Sequence, residues 1–148
     1  MKKILGLSLV LTSILLLSCS NNKKNEPQAE MTVKTYTEDS HNAKNSIDYK
    51  GTYKGDLPCA DCEKIEVELK LDDNDYKRTS VYHKNGQTTK VEEKGTYSWD
   101  QSGNTITLNG VDGSSPNKYF VAENYLMQLD MDGNRITGEM ANNYILRK

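Results

Sequence analysis

Large apolar rings are almost absent from this sequence, which holds one Phe and one Trp in 148 residues and is only 35% hydrophobic. A wide core is therefore excluded, and the interior must be thin. Nine Tyr take the place of the missing rings; buried tyrosines bring hydroxyls that need partners. Basic charge is not in excess either: 19 Lys and Arg face 21 Asp and Glu, and Lys2 and Lys3 belong to the leader described below. With no Lys/Arg stripe interleaved with aromatics, binding to a nucleic-acid backbone is excluded. No long apolar run follows residue 17, which excludes a multi-span membrane protein. The length suits one domain.

The first 18 residues do carry an apolar run, Ile4 to Leu17, preceded by Lys2 and Lys3 and closed by Ser18. It has the three regions of an export signal and is short for a membrane span. Leu16-Leu17-Ser18-Cys19 has the pattern of a lipobox, in which the Cys19 thiol takes a diacylglycerol and becomes the mature N-terminus. Acyl chains contribute about 0.8 kcal/mol per buried CH₂, so two or three anchor firmly. The expectation is a membrane-anchored lipoprotein outside the cytoplasm. Ser20, rather than Asp, follows the lipidated Cys, so the anchor is expected in the outer membrane of a two-membrane cell, with the domain facing the periplasm.

From Cys19 to Ser46 the residues are mostly Asn, Lys, Glu, Thr and Ser, with Pro27 and few large aliphatics. Such a stretch cannot bury enough surface to offset ordering entropy. It is expected to be a disordered tether with a reach of roughly 30 Å. The folded domain is expected over 47–148. There, short segments of alternating polarity are separated by turn residues, as in an antiparallel all-β fold. Ile65, Val67, Leu69 and Leu71 alternate with Lys64, Glu66, Glu68 and Lys70. The other expected strands are Tyr49 to Gly55, Tyr76 to Lys84, Thr88 to Trp99, Thr105 to Asn109, Lys118 to Ala122, Tyr125 to Met131 and Asn143 to Arg147. Asn85-Gly86, Asp112-Gly113 and Asp132-Gly133-Asn134 are among the turns between them. Closing the meander removes exposed sheet edges. A small antiparallel up-and-down β-barrel with little helix is expected.

One constellation stands out: Leu57-Pro58-Cys59-Ala60-Asp61-Cys62. With Cys19 consumed by lipid, Cys59 and Cys62 are the remaining pair in a compartment that permits disulfides. The spacing suits a static disulfide, a thiol-exchange switch, or a Cu(I) site, since Cu(I) prefers soft thiolate ligands. A thioredoxin-like motif would set the first Cys at a helix N-terminus. Here the alternation from Glu63 to Leu71 places a strand next, and Asp61 and Glu63 disfavour the thiolate.

The run Tyr53-Lys54-Gly55-Asp56-Leu57-Pro58-Cys59-Ala60-Asp61-Cys62, followed by Lys94-Gly95-Thr96-Tyr97-Ser98-Trp99, resembles the N-terminal domain of the NlpE family. Met127-Gln128-Leu129-Asp130-Met131-Asp132-Gly133-Asn134 resembles that domain's closing hairpin, so the likeness spans about 49–147. It implies a lipocalin-like small barrel on an outer-membrane lipoprotein. It also implies a part in copper tolerance, or in signalling surface contact or faulty lipoprotein traffic to an envelope sensor kinase. Cys59 and Cys62 are the residues it singles out, with Cys19 as the lipid site. Longer members carry a second, OB-like domain, and this sequence ends after the first.

Other ligands are sparse. His83 and His41 read as solvated residues, Met127 and Met131 share parity with Tyr125 and Leu129 and read as core fillers, and the spacing of Met140 points to no partner. Asp130 to Asn134 has its glycine at position four, where an EF-hand needs it at six, so it reads as a turn. No G-x-S-x-G elbow, H-E-x-x-H or phosphate-cradling loop occurs, and catalysis is not expected. Two other readings stand beside the NlpE-like one. A lipocalin-like carrier would hold a small ligand or lipid in the barrel, and an inhibitor would plug an enzyme's active site.

Overall fold

The computed structural model describes residues 41–148. The leader over 1–18, Cys19 and the expected tether up to residue 40 lie outside the described residues.

Eight antiparallel strands run up and down: β1 (Gly51–Leu57), β2 (Lys64–Leu71), β3 (Asp75–Lys84), β4 (Gln87–Trp99), β5 (Thr105–Leu108), β6 (Lys118–Ala122), β7 (Tyr125–Gln128) and β8 (Ile145–Arg147). Each pairs with the next, and β8 returns to β1 with Lys54 opposite Arg147, so the sheet closes into a barrel. This is the expected architecture. It follows from the period-2 pattern: Val67, Leu69 and Leu71 are buried in β2 while Glu68 and Lys70 face water. Asn85 and Gly86 take positive φ, 52° and 73°, as a tight hairpin between β3 and β4 requires. The first half of β4 pairs with β3 alone and is exposed, since only Tyr97 to Trp99 pair with β5. That hairpin therefore extends past the rest of the wall.

The interior is thin and rich in tyrosine. Tyr53, Leu69, Leu71, Ile106, Leu108, Tyr119, Leu126 and Leu146 are fully covered, each aliphatic side chain contributing about 1.5–3 kcal/mol by burial. The tyrosine hydroxyls find backbone acceptors in the segments flanking the strands: Tyr53 donates to Tyr49 O (2.5 Å), Tyr76 to Asn109 O (3.1 Å) and Tyr97 to Asp72 O (2.6 Å). Gly55 permits closure. A Cβ there would sit 2.6 Å from the carbonyl oxygen of Ile145, so only glycine lets the chain entering β8 approach β1 so closely.

The end of the barrel formed by the β2–β3, β4–β5 and β6–β7 turns is stoppered by a single helical turn, α1 (Ala43–Ser46). Asn42 caps it by accepting from Asn45 N, Ala43 N donates to Asn104 Oδ1 (3.0 Å), and Lys44 N donates to Gly103 O (3.0 Å). Ala43 is buried, and Tyr49 meets Trp99 edge-on at 4.9 Å. The tether was expected to run to residue 46, so the packed body starts earlier than the alternation indicated. One turn of polar helix has no apolar stripe to announce it.

Three further expectations are corrected. β1 begins at Gly51 rather than Tyr49. The last expected strand, Asn143 to Arg147, starts later, at Ile145, because Asn143 and Tyr144 belong to a 3₁₀ turn, Ala141–Tyr144, that leads into the short β8. β7 stops at Gln128, and Leu129 leaves the ladder to bridge Arg135. The parity argument for Met127 and Met131 therefore fails: Leu126, Gln128 and Leu129 are buried, Met127 is half-buried and Met131 is 48% exposed.

Candidate functional site

The opposite end of the barrel carries the CxxC loop. Leu57 is the last buried residue of β1, Pro58 supplies no N–H to continue the ladder, and β2 begins at Lys64. Between them Cys59 and Cys62 are joined by a disulfide with their Cα atoms 5.2 Å apart. Ala60 and Asp61 are exposed at the tip.

The loop leans on the end of β3. Glu63 N donates to His83 O (2.8 Å), Asn85 N donates to Glu63 Oε1 (3.1 Å), and Lys84 Nζ pairs with Asp61 Oδ2 (3.0 Å). Hydrogen bonding and charge from Lys84 hold the Asp61 carboxyl below its usual pKa. The Asp61–Lys84 pair is open to water and worth little by itself. A strand follows the second cysteine, as the alternation indicated, so no helix N-terminus activates a thiol.

Beneath the loop the barrel opens into a cavity of about 290 Å³, with Leu57, Pro58 and Ala60 on its rim. Its wall includes the buried Arg78, whose Nε donates to Glu93 Oε2 (2.6 Å) and whose Nη1 donates to Pro116 O (2.7 Å) and to the Tyr119 hydroxyl (3.0 Å). Burial opposes the guanidinium charge, but Glu93 and Tyr119 outweigh it and raise the Arg78 pKa. Glu93 lies directly opposite Arg78 in the β3–β4 register. Sequence reasoning passed over this pair. The available signal was a charged residue at the same parity as Tyr76 and Ser80 in β3.

The remaining candidates are scattered. His83, expected to be solvated, is three-quarters covered, and its Nε2 lies 3.2 Å from Glu66 Oε1 without hydrogen-bond alignment. His41 stands at the start of the described residues. Met140 is 52% exposed and lines a surface recess with Cys59, Glu63 and Lys64. Asp130 closes its turn by accepting from Asn134 N (2.7 Å), as expected of a turn.

Comparison with known proteins accords with this geometry. The family description of the NlpE N-terminal domain matches residues 53–139. A solved chain described as a candidate lipoprotein from Shewanella oneidensis shares 40% identity, with a TM-score of 0.66 over 73% of this chain and 95% of its own. The solved Cpx pathway activator NlpE from Escherichia coli shares 26% identity, with a TM-score of 0.49 over 62% of this chain. This chain spans about half (48%) of the length of that one. No curated protein matches. The CxxC loop between β1 and β2 falls inside the matched region, as does the Gly55 that lets the barrel close; the chain belongs to the NlpE N-terminal domain family.

Proposed function

We propose that this protein is a non-enzymatic cell-envelope lipoprotein whose Cys59–Cys62 loop contributes to copper tolerance or to envelope-stress sensing. The observation that carries the reading is the position of the disulfide: it clamps an exposed loop at the rim of the barrel, where the other ties are hydrogen bonds and an open ion pair. A dithiol donating two electrons and two protons opens the S–S bond, gives two thiols and is itself oxidised to a disulfide. The loop then loses its covalent clamp and presents a different surface to a sensor protein in the envelope. Anchoring through acyl chains on Cys19 keeps the domain at the outer membrane, facing the periplasm.

The donor set fits a soft metal ion once reduced. Ligand atoms of Cys59, Asp61 and Cys62 lie within 4.8 Å of one another, and the exposed Met140 thioether borders the recess beside Cys59. Two thiolates supply the soft coordination that Cu(I) favours, and their deprotonation ties affinity to pH. The test is Cu(I) titration of the reduced full chain beside a Cys59→Ser, Cys62→Ser variant. At least a hundredfold loss of affinity in the variant is expected; equal affinities remove the metal role. The oxidation state of the two cysteines in cells grown with and without copper tests the switch, and an unchanging disulfide reduces it to a staple.

A further inference from the structure

The buried polar or charged side chains among the described residues are Arg78, Ser80 and Gln128, and all three line the cavity beneath the CxxC loop. Buried polar groups in folded proteins are normally hydrogen-bonded. Arg78 uses Nε and Nη1 on Glu93, Pro116 and Tyr119, which leaves Nη2 without an acceptor among the described residues. The Ser80 hydroxyl and the Gln128 side-chain amide also have no hydrogen-bond partner among the described residues, yet none of these atoms is sealed from solvent as His83 Nε2 is. Since each of the three residues is at most 8% exposed, the space these atoms reach is the cavity. A lumen packed with apolar side chains would be at least as stable as one holding a desolvated ion pair, so stability alone does not account for the cluster.

We propose that this end of the lumen is a binding site for a small carboxylate. Nη2 offers a charge-assisted N–H to one carboxylate oxygen, and Ser80 and Gln128 can donate beside it. Tyr82, Tyr144 and Leu57 supply apolar surface around them. At about 290 Å³ the space holds roughly ten water-sized groups, which suits an acid of amino-acid size. Charge sets a second limit. Glu93 already balances Arg78, so a dianionic phosphate would bring two uncompensated charges under cover, whereas a carboxylate brings one, spread over several donors. The site stands whether or not the loop above it is a switch.

The test is ¹H–¹⁵N NMR of the full chain in detergent, titrated with N-acetyl-alanine and separately with its amide. Saturable shifts are expected at residues 78–82, Tyr119 and Gln128, with the amide at least tenfold weaker. Loss of Arg78 endangers folding, so Gln128→Leu and Ser80→Ala carry the mutational arm, and each should weaken binding at least fivefold. A trialanine peptide with a free carboxylate distinguishes the sources. Tighter binding of the peptide indicates a chain terminus, and its exclusion beside retained N-acetyl-alanine indicates a free small acid. Absence of saturable shifts, equal binding of acid and amide, or unchanged affinity in both variants overturns the proposal.

Discussion

Arg78 on β3 reaches across the barrel to the hydroxyl of Tyr119 on β6, a 3.0 Å hydrogen bond between residues 41 apart in sequence and in strands that are not neighbours in the sheet. The same Nη1 donates to Pro116 O in the loop before β6. One guanidinium thus braces two walls and a loop at the end that carries the disulfide.

Tyr119→Phe removes one acceptor from that brace and leaves the ring in place. A loss of about 1 kcal/mol is expected, read as a lower urea midpoint with an unchanged slope. Arg78→Leu leaves the Glu93 carboxylate, itself largely covered, without its partner, and about 3 kcal/mol is expected. Equal costs for the two variants would contradict the brace.

Gly55→Ala drives a methyl group into the Ile145 carbonyl. Overpacking of this kind costs about 1–3 kcal/mol. Amide exchange in β8 should accelerate ahead of that in β2 and β3, because the β1–β8 seam holds β8 to the barrel. Uniform acceleration through all strands would place the damage elsewhere.

Cys59→Ser, Cys62→Ser leaves the barrel folded. The disulfide closes a very short loop, so chain-entropy arguments assign it roughly 2 kcal/mol. Thermal unfolding followed by circular dichroism should show the same β spectrum with a lower midpoint, and loss of the native spectrum at room temperature would show that the clamp supports the fold itself.

Alkali should unfold the domain. Burial, reinforced by Asp48, pushes the Tyr53 pKa up to about 12, and burial also raises those of Tyr97 and Tyr119. In the unfolded chain these phenols ionise near 10. The unfolded state therefore loses its protons first, and stability present below about pH 10 declines as pH rises through 12. Phenolate absorbance should show a class of tyrosines that ionises only as the β signal is lost; all nine titrating together near pH 10 in folded protein would contradict this.

The alternation of Ile65 to Leu71 and the Asn85-Gly86 turn made the meander readable, because period-2 burial and positive φ are local properties. The cysteine pair was readable for the same reason, its two members being three residues apart. Local pattern failed where the ladder broke. Leu129 leaves β7 for a bridge to Arg135, and its neighbour Gln128 is buried too, which a strict alternation cannot represent.

The sequence by itself determined the strand order, the hairpins and the loop that bears the cysteines, since each depends on residues close along the chain. Tertiary structure alone decided that Arg78, Ser80 and Gln128 share one cavity, and that a turn at Ala43 stoppers the other end. Those groupings depend on which way a closed wall turns its polar side chains: parity along β3 can place Arg78 on the inward face, but only the closed barrel sets which partners it meets across the lumen.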